Sequence, residues 1–197
     1  MNNVTRAFFA LLRCGLWGRE PENPEMLHLA AEDWNSIYRE SRRQTVTGIV
    51  HSGLSFIPEE FLPDEGLMTK WTAAVFRIEQ ASRKMDAIVA GVAGKFLGLG
   101  LHPVLLKGQA AARLYREPLL RECGDIDLYF ADRAEWKEAV ETLAKEGTAL
   151  SRVADGSCHY ETDGIVVELH SKMMDICNPF RQKWLKELEP QFCFDVA

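Results

Sequence analysis

The sequence predicts an α+β protein: a helical N-terminal region over residues 1–98, packed on a small mixed β-sheet domain over residues 99–197. Two observations predict it. Through most of the first hundred residues, apolar side chains recur every three or four positions, the period of a helix buried on one face. From Leu101 onward, short apolar and alternating runs take over, separated by shorter helical patterns, as strands and helices in turn would give. The 197 residues are 47% hydrophobic, enough for a packed core.

The elements follow in order. Met26, Leu27, Ala30, Trp34 and Ile37 space a helix from Pro24 to about Tyr38, and a second runs from Arg42 to His51. Prolines and glycines interrupt between Pro58 and Gly66. The longest periodic segment carries Trp71, Val75, Ile78, Ala81, Met85, Ile88, Val92 and Phe96, most simply a core-packing stripe, and the glycines of "GKFLGLG" close it. "HPVLL" reads as a strand before Lys107-Gly108, and Gln109 to Arg116 as a short helix. Asp125 to Phe130 alternates with period two, a half-buried strand. Asp132 caps the next helix, with Glu135 completing a capping box, and that helix ends near Gly147. "CHYETDGIVVELH" is a hairpin around Asp163-Gly164, a pair suited to a type I′ turn. Asn178-Pro179 opens a last helix through Trp184 and Leu188. The order after the helices is therefore β-α-β-α-β-β-α.

Charge and cysteine usage narrow the class. The net charge is −6 and the pI about 5.4, which argues against coating extended nucleic acid. A small anionic substrate needs only a local basic pocket and stays open. Five cysteines are scattered without a CxxC pair, which fits a reducing cytoplasm better than a disulfide framework. The run Ala7–Leu12 meets Arg13 at once and is too short for a signal core, and no apolar stretch reaches the ~18 residues of a membrane span. A soluble cytoplasmic protein is expected.

The chemistry concentrates in "RECGDIDLYF". Ile126, Leu128 and Phe130 share one strand face; Asp125, Asp127 and Tyr129 share the other. The two aspartates are then about 7 Å apart at Cα, where they repel unless a cation lies between them. Hard oxygen donors favour Mg²⁺ or Mn²⁺. In "IVVELH", Glu168 and His170 lie opposite the apolar set Ile165, Val167 and Leu169. If that strand neighbours the aspartate strand, Glu168 reaches the same metal. Three carboxylates can hold two ions for in-line phosphoryl chemistry. Upstream, "VLLKGQAAARLY" is strand, glycine, helix: a turn where phosphate can approach the backbone and free N–H groups. Lys107 reads equally as a phosphate ligand and as an exposed charge at a strand end. Arg121 reads equally as a surface partner of Glu122 or Glu117. Cys158, His159, His170 and Cys177 lack zinc-ligand spacing.

The set "LLKGQAAARLY…LRECGDIDLYF…VVELH" resembles the DNA polymerase beta-like nucleotidyltransferase superfamily, most of all a bacterial branch of uncharacterised nucleotidyltransferases. The close likeness spans roughly Val104 to His170. It implies a nucleotidyltransferase-like sheet domain, Asp125, Asp127 and Glu168 as metal ligands, and Glu168 as an aid in deprotonating the acceptor. Lys107, Gly108, Gln109 and Arg121 would serve the nucleotide. The reaction implied is metal-dependent transfer of a nucleoside monophosphate from an NTP, such as ATP, to an acceptor hydroxyl on a small molecule or protein. Two departures stand out. Gln109 occupies a place where Ser or Gly is common, and relatives commonly continue into a further helical region, so a short member or a fragment is expected. Three rivals follow: an inactive nucleotide- or partner-binding module, an enzyme that adenylylates a protein, and a metal-dependent phosphohydrolase.

Overall fold

The structure is a computed structural model that describes residues 2–153, 156–173 and 178–188. It is α+β, with helices α1 (Asn3–Trp17), α2 (Ala31–Arg43), α3 (Thr47–Ser52) and α4 (Glu65–Gly98) ahead of the sheet. Then come β1 (Val104–Leu105), α5 (Gln109–Ala112), β2 (Asp125–Tyr129), α6 (Arg133–Lys145), β3 (Ser151–Arg152), β4 (Cys158–Thr162), β5 (Ile165–His170) and α7 (Pro179–Leu188). No helix among the described residues is long and apolar enough to cross a membrane. The chain divides into two compact units, Met1–Lys84 with Ala111–Cys123, and Met85–Ala110 with Gly124–Ala197. The units interleave along the chain.

The first unit is helical. Its core gathers Phe8 and Leu11 of α1, Trp34, Ile37 and Tyr38 of α2, Ile49 and Val50 of α3, and Trp71 and Val75 of α4. Trp71 is fully buried, stands edge-on to Tyr38 at 5.2 Å, and donates its indole N–H to the Thr47 carbonyl at 3.0 Å. A side chain does not fit where α1 meets α3: a Cβ on Gly15 would lie 1.9 Å from the Ile49 oxygen, and one on Gly53 2.2 Å from the Leu11 oxygen. Two sequence expectations change here. Pro24–Leu27 is a 3-10 turn and the regular helix starts only at Ala31. The span 42–51 is broken at Thr45, whose φ is +52°, and α3 restarts with its Thr47 N–H donated to the Glu122 carboxylate at 2.9 Å.

The second unit holds a five-stranded mixed sheet in the order β1-β2-β5-β4-β3. β2 runs parallel to β5, and the other neighbours are antiparallel. One face is apolar: Ile126, Leu128 and Phe130 beside Val167, Leu169, Cys158 and Tyr160, all buried. Phe96 meets Phe130 edge-on at 5.5 Å, and Trp136 of α6 donates its indole N–H to the Leu169 carbonyl at 3.0 Å. The short strand β3 has no counterpart in the sequence expectation, since two residues carry no readable alternation. The hairpin turn is as expected, with Asp163 at φ +51° and Gly164 at +77°. Asp132 caps α6 through the Ala134 N–H at 2.7 Å. Glu135 does not close a capping box; its two oxygens turn to the backbone N–H and ring of His102, at 2.7 and 3.0 Å. Asn178 caps α7, accepting from the N–H groups of Phe180 and Arg181.

Candidate metal and nucleotide site

The polar face of the sheet carries the chemistry. In the β2–β5 ladder Asp127 stands beside Glu168, Asp125 beside Val166 and Tyr129 beside His170. On the next strand His159 stands opposite Glu168. Side chains that share a register level share a face, so Asp127, Glu168 and His159 form one row across three strands. β2 is not half-buried as its alternation suggests. Asp127 and Tyr129 on this face are each only 2% exposed, whereas the Asp125 side chain is 39% exposed, so the cover on this face begins at Asp127.

Three ligand atoms, one each from Asp127, Glu168 and His170, lie within 4.8 Å of one another. His170 Nε2 is 3.1 Å from Asp127 Oδ1 and 3.3 Å from Glu168 Oε2. His159 Nε2 is 3.6 Å from the same glutamate oxygen and 2.7 Å from the Ser157 hydroxyl. The other aspartate oxygen, Asp127 Oδ2, is buried and is met by the Lys107 ammonium at 3.1 Å. Lys107 also reaches Asp125 Oδ2 at 3.4 Å. Burial pushes the Asp127 carboxyl up, but the His170 hydrogen bond and the Lys107 charge outweigh it and hold the group below its ordinary value. Burial also works against the Lys107 ammonium, and the two aspartates overcome it and raise its pKa. The donor set on the other side of this carboxylate, Asp127 with Glu168 and the His170 imidazole, fits a divalent cation.

The glycine turn lies beside this cluster. Leu106 donates its N–H to the Asp127 carbonyl at 3.0 Å, and the Ala110 N–H closes the turn on the Lys107 carbonyl at 3.2 Å. Gly108 sits between them at φ +60°, a left-handed conformation that side chains rarely adopt. The helix that follows is shorter than its sequence suggests, ending at Ala112 rather than Arg116. Gln109 is buried, and its amide donates to Asp86 at 2.6 Å.

The expected site residues therefore divide. Lys107, Gly108, Asp125, Asp127 and Glu168 come together. Asp125 stands outside the group that could share one ion, linked to it through Lys107. Arg121 belongs to the helical unit, where its guanidinium lies 6.0 Å from the Tyr115 ring and donates to the Cys123 sulfur. Cys177 lies outside the described residues, and Cys158 faces the core. His159 and His170 carry no role from their spacing along the chain. The signal for His159 is the two-residue turn: pairing Thr162 with Ile165 carries His159 opposite Glu168. A cavity of about 210 Å³ lined by Arg6, Arg13, Cys14 and Arg19 belongs to the helical unit and contains none of these residues.

A family model described as "Uncharacterised nucleotidyltransferase" matches residues 30–192. No curated protein and no solved structure matches the chain.

Proposed function

The chain belongs to this family of uncharacterised nucleotidyltransferases, and from that premise we propose that it moves a nucleoside monophosphate from an NTP to an acceptor hydroxyl in a reaction that needs a divalent metal. The observation that carries this reading is the β2–β5 register, which sets Asp127 against Glu168 beside the left-handed turn at Gly108. Asp127 and Glu168 hold the metal, with Asp125 and Lys107 adjoining. Bound Mg²⁺ or Mn²⁺ supplies charge neutralisation at the α-phosphate and a lower pKa for the attacking hydroxyl. Glu168 takes up the proton that the hydroxyl loses. The acceptor oxygen then bonds to the α-phosphorus, the bond from that phosphorus to the β-phosphate bridge breaks, and pyrophosphate leaves. The turn at Gly108, which carries no side chain, leaves room for the triphosphate to approach, and Lys107 attracts its outer phosphates. Gln109, with its side chain donating to Asp86, adjoins the nucleotide from its place in the turn after Gly108. Arg121 enters on the family motif alone.

The buried amide of Gln109 also favours a second reading, an inactive module that binds nucleotide with a weak phosphate grip. Pyrophosphate release with Mg²⁺ or Mn²⁺ and α-labelled NTP, in the presence of a lysate as acceptor source, separates the two. Label should pass from the nucleotide to an acceptor. Asp127→Asn should reduce transfer to background while its far-UV circular dichroism stays that of the parent. Transfer that survives in Asp127→Asn would remove the mechanism, and binding without transfer would favour the module.

A further inference from the structure

The three carboxylates suggest two metal ions, yet one of the two places is already filled by a side chain. Asp125 and Asp127 point from the same strand face and need a cation between them. The Lys107 ammonium lies there, 3.4 Å from Asp125 Oδ2 and 3.1 Å from Asp127 Oδ2. The backbone holds Lys107 in reach, because its neighbour Leu106 is hydrogen-bonded to Asp127 itself. The two oxygens of Asp127 are thereby divided. Oδ2 faces the ammonium, and Oδ1 faces His170, whose Nε2 also meets Glu168.

We propose that this centre binds a single divalent ion through Asp127, Glu168 and His170, and that the Lys107 ammonium takes the place of a second ion between Asp125 and Asp127. The reaction this arrangement would serve rests on the nucleotidyltransferase reading; the ion count does not. Two carboxylate oxygens already facing an ammonium have little to offer a divalent ion, and that ion would meet a like charge at contact distance. The donor set at the other place is two oxygens and an imidazole nitrogen. Imidazole suits first-row ions such as Fe, Ni, Cu and Zn, and Mn²⁺, though it favours oxygen, is a first-row ion that dehydrates more readily than Mg²⁺, which is held through oxygen and water. Mn²⁺ should therefore bind more tightly than Mg²⁺, and His170→Ala should narrow the gap.

The test is Mn²⁺ binding to the full chain without nucleotide, by equilibrium dialysis with electron paramagnetic resonance of the free ion. The parent should take up one Mn²⁺ per chain. Lys107→Met should take up two, and Lys107→Arg, which keeps the cation, should again take up one. If Lys107→Met does not fold, affinities in two other variants decide. Asp127→Asn should weaken the Mn²⁺ site by about 100-fold or more, and Asp125→Asn by less than about 10-fold. None or two ions in the parent, one in folded Lys107→Met, or equal losses from Asp125→Asn and Asp127→Asn would each overturn the proposal. Its failure is separable from that of the transfer reaction. Two ions with active transfer remove only the count, and one ion without transfer removes only the reaction.

Discussion

Asp127 has a side chain 2% exposed, and an ionised carboxylate so buried is costly unless each oxygen is matched. Lys107 and His170 match them, one oxygen each. Much of this was legible in the sequence, because period-two alternation alone puts Asp125 and Asp127 on one face and Glu168 opposite an apolar set. The histidines were less so. The place of His159 opposite Glu168 follows from hairpin register, which counting outward from Asp163-Gly164 could have supplied. The bond from Gln109 to Asp86 could not be read, since it joins residues of different elements. On the opposite face, Tyr160 shows what burial does without a matching charge. Burial, aided by the Glu146 charge, pushes its hydroxyl up to about 12. A folded value above the ordinary ~10 favours the neutral form in the native state. The resulting stability is complete below about pH 10 and is lost as pH rises towards 12. Urea midpoints should fall across that window, and Tyr160→Phe should flatten the fall. An equal fall in both proteins would assign the alkaline loss to other groups.

At the scale of elements, patterns confined to one stretch of chain were readable and contacts between stretches were not. The long helix, the capped α6, the hairpin and the Asn178 cap all carry their signals within a few residues. The break between α2 and α3 does not. It depends on Thr45 turning to positive φ and on Glu122, 75 residues on, accepting the N–H of Thr47. The same holds for the contact of α1 with α3 and the turn after it. Glycine in a helical pattern reads as a weakness, yet Gly15 and Gly53 let two backbones touch. A methyl at Gly53 would lie 2.2 Å from the Leu11 oxygen, and a backbone carbonyl within a helix cannot swing aside. Gly53→Ala should therefore destabilise the chain by about 1–3 kcal/mol or more through overpacking. Urea unfolding should show a lower midpoint with an unchanged slope. A midpoint equal to the parent's would mean that the helices separate freely.

Across the whole molecule, the order of elements was legible from Pro24 onward except for β3, α1 was not singled out, and the arrangement in space was not readable. The last described strand, β5, inserts between β2 and β4 and makes the one parallel pairing among the described residues. That pairing follows a connection through α6, β3 and β4, and no local pattern encodes it. It is also the pairing that builds the site, so fold and chemistry depend on the same ladder. A divalent ion held by Asp127 on β2 and Glu168 on β5 would tie the two strands together in the folded state only. Binding to the native chain alone raises stability by about 2.7 kcal/mol at a free ion concentration 100 times the Kd. Mn²⁺ should therefore raise the urea midpoint, chelation with EDTA should return it, and amide exchange in β2 and β5 should slow most. Asp127→Asn should lose the response, because one of the two strands no longer offers a charged ligand. Should Mn²⁺ stabilise Asp127→Asn as much as the parent, the ion is bound elsewhere and the β2–β5 ladder is not its site.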